Sequence, residues 1–253
     1  MSEPRGDATG SIFTADYRVR FDEAGPDGRA RTSTLLRYAQ DVAWQHSEAR
    51  GFDRDWYAVR GLAWVVRSVG LELLAPISMG QRLRLTTQVI GHRRIWARRL
   101  AEAWPAEARA GATEPFARVI TDWVILDSRG RPVRIPSDFG LDFASPEVQG
   151  EIQHAAPPSG APGPPFRLRV RPQDLDPVGH VNNAAYLDWL EEAFLDDAAP
   201  TAFALPRTTT IEYLASAGPG DEVEVRTWRD ADAWQARMTT GGAEVLRASG
   251  TPA

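Results

Sequence analysis

From Arg31 onward the apolar positions fall at helical spacing, with Leu35, Ala39, Val42, Ala43 and His46 on one face and Arg37, Gln40 and Asp41 between them. That pattern predicts an amphipathic helix of about four turns. Downstream the period changes. RLRLTTQVI (Arg82 to Ile90), WARRLAEAW (Trp96 to Trp104) and FARVITDWVILD (Phe116 to Asp127) are β-rich with partial alternation, and DSRGRPV supplies a turn after the last. One helix followed by several turn-linked strands predicts an α+β unit with an antiparallel sheet, because parallel strands would need more crossover helices.

The same order recurs. RVRFDEAGPDGRARTSTLLRYAQ from Arg18 aligns without gaps on RVRPQDLDPVGHVNNAAYLDWLE from Arg169, and LELLAPISMGQRLRLTT from Leu71 aligns on IEYLASAGPGDEVEVRT from Ile211. Between the copies, QGEIQHAAPPSGAPGPP is dense in Pro, Gly, Ala and Ser and has no periodicity, which marks a linker. The expected division is therefore residues 1–148, a linker at 149–165, and residues 166–253. Two such units usually bury their sheet edges by pairing side by side, so one continuous antiparallel sheet with two central helices is expected.

Composition narrows the chemistry. There is no Cys, so disulfides, thiolate metal sites and a cysteine nucleophile are excluded, and four His without HExxH-like spacing give no reason to expect a metal. A net charge of −5 argues against a nucleic-acid partner. No apolar run approaches bilayer length, and MSEPRGDATG lacks the layout of a secretory signal, so no membrane association and a cytoplasmic location are expected, and a homodimer is left open.

The loop before the second helix holds the candidate chemistry. It reads Asp174, Leu175, Asp176, Pro177, Val178, Gly179, His180, Val181, Asn182, Asn183, whereas the aligned first-copy loop EAGPDGRARTS has neither the paired Asp nor the His. Gly179 permits close backbone approach, Asn182 or Asn183 can cap the helix, and N–H groups at Gly179, Val181, Asn182 and Asn183 are candidates to face developing negative charge. A carboxylate four residues before an imidazole can bring an acid or base to the same carbonyl. The competing reading is an Asx-type turn with a surface histidine. The contrast between the copies favours function, since both loops do the same structural job.

DLDPVGHVNNAAYLDWLEE resembles the signature of the hotdog thioesterases, and the whole layout, with LLRYAQDVAWQHSEARGFD and FARVITDWVILD, resembles the acyl-acyl-carrier-protein thioesterases. The resemblance implies two tandem hotdog domains, a role in fatty acid biosynthesis, no cofactor, and hydrolysis of an acyl thioester carried on the pantetheine of acyl carrier protein or coenzyme A. It places Asp176 and His180 at the catalytic aspartate and histidine, with the acyl tail beside the first helix; Trp44 and Trp64, in or just after that helix, and Tyr186 are the candidates to touch substrate, although aromatics at such spacing are more often plain core. Two positions depart from that pattern: Val178 stands where an Asn is usual, and Ser216 and Ala217 stand where an acidic residue and often Cys follow the strand. The alternatives are an enzyme that depends on Asp176 and His180 alone, one that recruits a residue such as Glu212, or a slow one. A non-catalytic acyl-thioester binder and, further off, a hydratase are the rival readings. Among Arg93, Arg94, Arg98 and Arg99, alternation sends the last two to opposite faces; a solvated strand is the ordinary meaning, and Arg93 and Arg94 are the candidates to meet an acidic carrier.

Overall fold

A computed structural model describes residues 12–107, 114–143, 148, 150–196, 204–230 and 233–252. The first unit runs β1 (Phe13–Arg18), α1 (Thr32–Ala49), α2 (Arg54–Arg60), β2 (Leu62–Leu73), β3 (Arg82–Arg93), β4 (Trp96–Pro105), β5 (Ala117–Asp127) and α3 (Ser137–Phe143). The second runs β6 (Phe166–Arg169), α4 (Ala185–Asp196), β7 (Arg207–Tyr213), β8 (Glu222–Asp230), β9 (Ala233–Thr240) and β10 (Ala243–Pro252). The predicted helix is α1, and all five residues expected on its apolar face are buried. The short helices α2 and α3 were not predicted; α2 is started by Asp53, whose side chain accepts the Trp56 N–H at 2.8 Å.

All ten strands form one antiparallel sheet in the order β1-β3-β4-β5-β2-β7-β10-β9-β8-β6. The second half of that order repeats the first in reverse, which is a double hotdog. Its seam is β2 against β7, where Val69 pairs with Ile211, Gly70 with Thr210 and Leu71 with Thr209. Because Leu71 and Ile211 are aligned in the repeat, Gly70 faces its own counterpart across a local twofold axis. Pairing here satisfies the backbone groups that each unit alone would leave open at an edge.

Helices α1 and α4 lie on one face of this sheet, over a core that includes Leu36, Val42, Leu71, Leu83, Trp189, Ile211 and Met238. Near the axis Glu191 of α4 accepts from the Thr32 hydroxyl, which in turn accepts from Arg207 at 2.6 Å. Burial pushes the Glu191 carboxyl up and the Arg207 guanidinium down, each partly offset by the other's charge.

The segment read as a linker is a strap over the opposite face. Gln153 donates its N–H to Asp122 (3.0 Å), Ala155 to Glu212 (3.3 Å), Ala156 to Ser249 (3.0 Å) and Gly163 to the Thr227 carbonyl (2.8 Å). Asp122 is fully buried there, gripped by Arg98 at 2.7 and 2.9 Å and by Ser68 at 3.0 Å. The strap is tied by side chains that project from the sheet at strand alternation, so its Pro and Gly content reflects a path without regular pairing.

Candidate active site

The loops before α1 and α4 have the same backbone. In the first unit Gly25 donates to the Arg29 carbonyl (2.8 Å), Gly28 to Gly25 (3.0 Å) and Arg31 to Glu23 (3.0 Å). In the second, Asp176 donates to His180 (2.8 Å), Gly179 to Asp176 (3.0 Å) and Asn182 to Asp174 (2.8 Å). Gly28 and Gly179 both sit at positive φ, 72° and 86°, where a side chain would strain the turn. The turn thus forms with glycine at the Asp176 position. Folding does not require a carboxylate there.

Asp174 has a different task. It is 5% exposed and accepts the Arg171 N–H at 2.8 Å and the Arg171 guanidinium at 3.0 and 3.1 Å, and Glu23 makes the matching bond to the Arg20 N–H at 2.7 Å. Both residues hold the short helical turn that leads into the loop. Asp174→Ala should lower stability by about 1 kcal/mol, because the Arg171 N–H and guanidinium lose their acceptor at the start of the turn; equilibrium urea unfolding measures it, and an unchanged midpoint would refute the role.

Asp176 is half-buried, and its Oδ1 accepts the backbone N–H groups of Val178 (2.8 Å) and His180 (3.3 Å). Oδ2 has no partner among the described residues. The side chain lies on the wall of a cavity of about 710 Å³, an ordinary size for a small-molecule site. Asp176, Pro177 and Val178 are its contribution from the second unit; the other walls come from the first unit's α1, α2, α3 and strands. Trp44 and Trp64 line it, with the Trp64 indole donating to the Tyr57 hydroxyl at 3.1 Å. Gln40, Ser47, Tyr57, Arg99, Trp123 and Phe139 were not anticipated there.

Other expected residues are placed differently. The His180 ring is exposed and has no hydrogen-bond partner among the described residues. Tyr186 is not on the cavity: it is 2% exposed, packed edge-on against Trp189 and Tyr213, and its hydroxyl accepts the Ala217 N–H at 2.9 Å. Of the four N–H groups expected to face a reacting carbonyl, those of Gly179 and Asn182 close the turn and that of Val181 donates to Ala217 at 3.2 Å. Only Asn183 keeps a backbone N–H without a partner among the described residues. Asn182 is a cap, its side chain accepting the Ala184 N–H at 2.9 Å. Glu212 cannot substitute near Asp176, because alternation along β7 turns it to the strap face, where it accepts from His154 at 2.8 Å. Arg98 and Arg99 do take opposite faces, but neither is a solvated strand residue: Arg98 pairs with buried Asp122, and Arg99 is 7% exposed on the cavity.

The corresponding space in the second unit is filled. Phe194 stands at the position aligned with Ala43, and Trp234 opposes Arg229 as Arg99 opposes Val89. The two rings pack edge-on, 5.0 Å apart, and Trp234 lies against Gly250, where a Cβ would collide with it. Among the described residues, the open cavity and the polar loop therefore coincide at one site.

Residues 10–141 match the family described as acyl-ACP thioesterase N-terminal domain, and residues 165–245 match the acyl-ACP thioesterase C-terminal domain. Acyl-[acyl-carrier-protein] hydrolase FATB2 of Cuphea viscosissima is 23% identical over 238 residues, covering 86% of this chain and 55% of that protein. Oleoyl-acyl carrier protein thioesterase 1 of Arabidopsis thaliana is 24% identical over 242 residues, covering 86% and 64%. The chain thus spans only 55% to 64% of the length of these two relatives. Among solved structures, the 12:0-ACP thioesterase of Umbellularia californica superimposes with a TM-score of 0.79 at 20% identity, over 95% of this chain and 96% of that one. An acyl-ACP thioesterase of Bacteroides thetaiotaomicron gives 0.80 at 16%, over 95% and 97%, so the whole double-hotdog fold is shared. With both halves of its repeat matched in order, this chain belongs to the acyl-ACP thioesterase family.

Proposed function

We propose that the protein hydrolyses an acyl thioester carried on the pantetheine arm of acyl carrier protein, with residues 1–148 supplying the acyl cavity and residues 166–253 the carboxylate that acts at its mouth. The observation that carries this reading is Asp176: one carboxylate oxygen is fixed by two backbone N–H groups, and the other has no partner among the described residues and lies at the wall of an acyl-sized cavity. Fixing Oδ1 orients Oδ2 without consuming it, which is the preorganisation a base or nucleophile needs. Oδ2 either takes a proton from water as the water attacks the thioester carbon, or attacks that carbon itself to give a mixed anhydride that water then opens; in both routes the C–S bond breaks, and the pantetheine thiolate leaves and takes up the proton that water gives up. A single turnover in ¹⁸O-labelled water separates the routes, since opening of the anhydride at the protein carbonyl labels Asp176.

The N–H of Asn183, two residues before α4, has no partner among the described residues and is the candidate donor for the developing oxyanion. His180, exposed beside the same loop, reaches the carbonyl or the departing thiol only once substrate covers it. His180→Ala should reduce kcat about 10- to 100-fold with an unchanged melting temperature, and an unchanged kcat would remove the imidazole from the chemistry. The function itself is tested by thiol release from acyl-carrier-protein and coenzyme A thioesters of several chain lengths. Binding without release would leave an acyl-thioester carrier, the reading that Val178 at the usual Asn position favours.

A further inference from the structure

Arg99 carries a positive charge into the cavity without an ion-pair partner among the described residues. Its guanidinium meets His46 Nδ1 (3.0 Å) and donates to the Thr87 hydroxyl (3.2 Å), neither of them a carboxylate, and the Phe143 ring is 5.7 Å away. Nε and Nη2 have no partner among the described residues. The acidic residues on the cavity, Glu48 and Asp176, make no ion pair with it. Burial pulls the guanidinium down to about 10, the nearby Tyr57 hydroxyl being the one group that pushes back, so it stays charged at neutral pH. Trp123, across the β4–β5 pairing on the same wall, also has a buried indole N–H without an acceptor.

A purely hydrocarbon acyl group would leave both donors dry. Burying a cation without an anion or strong acceptor is among the costliest arrangements in a protein interior, and the strand could hold an aliphatic residue there instead. The opposite unit carries no charge at the aligned position, which holds the uncharged ring of Trp234. We infer that the cavity selects an acyl group bearing an acceptor oxygen, a carboxylate or a ketone, away from the thioester, and that Arg99 with Trp123 receives it.

This inference rests on the acyl-thioester reading, and a binding test keeps the two apart. Three hydrolysis-inert pantetheine amides of equal chain length are titrated calorimetrically: octanoyl, 7-oxooctanoyl and 7-carboxyheptanoyl. The intact protein should bind at least one oxygenated amide about 10- to 100-fold more tightly than the octanoyl amide, and the arm that wins identifies carboxylate or ketone. Arg99→Met should abolish that preference while leaving octanoyl affinity equal or improved, and Trp123→Phe should reduce it in part. Tighter binding of the octanoyl amide by the intact protein overturns the inference without need of any variant, as does an equal loss for all three amides in Arg99→Met. Thioester cleavage with no such preference sinks this inference alone. Preference without cleavage of any thioester sinks the hydrolase reading and leaves the acyl selectivity standing.

Discussion

Asp176→Asn is expected to lower kcat for thioester hydrolysis by about 10²- to 10⁴-fold while the protein melts at its original temperature. The amide oxygen can still accept the N–H groups of Val178 and His180, so the turn keeps its shape and only the reactive oxygen is replaced. Gly25, at the aligned position of an identical turn, shows that the backbone there tolerates loss of the side chain altogether. Asp174→Asn is the matched control: it weakens the bonds to Arg171, which face away from the cavity, so turnover by the folded protein should stay at the parental level. Equal losses of turnover at both positions would mean that the loop is merely misfolding, and the proposed role of Asp176 would fail.

The second large effect is on stability. Trp234→Ala should cost about 3–5 kcal/mol in equilibrium denaturation, because a 3% exposed indole is removed from between Phe194 and Gly250 and the sheet cannot close over the gap. Trp44→Ala, on the open cavity of the first unit, removes a ring that is 41% exposed and should cost under about 1 kcal/mol. Comparable costs for the two would contradict the division into one filled and one open unit. The comparison also isolates the physical basis of having one site: the fold offers two related spaces, and aromatic side chains close one of them.

Legibility followed the range of the interactions. Periodicity found α1, β3, β4 and β5 because burial on one face repeats at the geometry of the element itself. The aligned copies carried enough information to predict the continuous sheet, since strand pairing between units only needs two open edges. Helices α2 and α3 were missed, being too short to show a period. Arg99 could have been found: alternation already turned it away from Arg98, and Ala97 and Ala101 on either side mark an apolar face. Reading it as solvated overlooked those neighbours. Tyr186 was misplaced because its position next to the polar loop says nothing about which way α4 turns it.

By itself, then, the sequence determined the repeat, the family, the sheet and the fact that only one of two equivalent loops bears Asp and His. Those properties are local or rest on comparison of one segment with another. Tertiary structure alone decided which walls Asp176 faces, that its Oδ1 is occupied while its Oδ2 has no partner among the described residues, that Glu212 belongs to the strap face, and that an arginine without an ion-pair partner among those residues lines the cavity. Each of these depends on residues far apart in the chain meeting across a helix-on-sheet interface, where direction and burial are set by packing and not by neighbours in sequence.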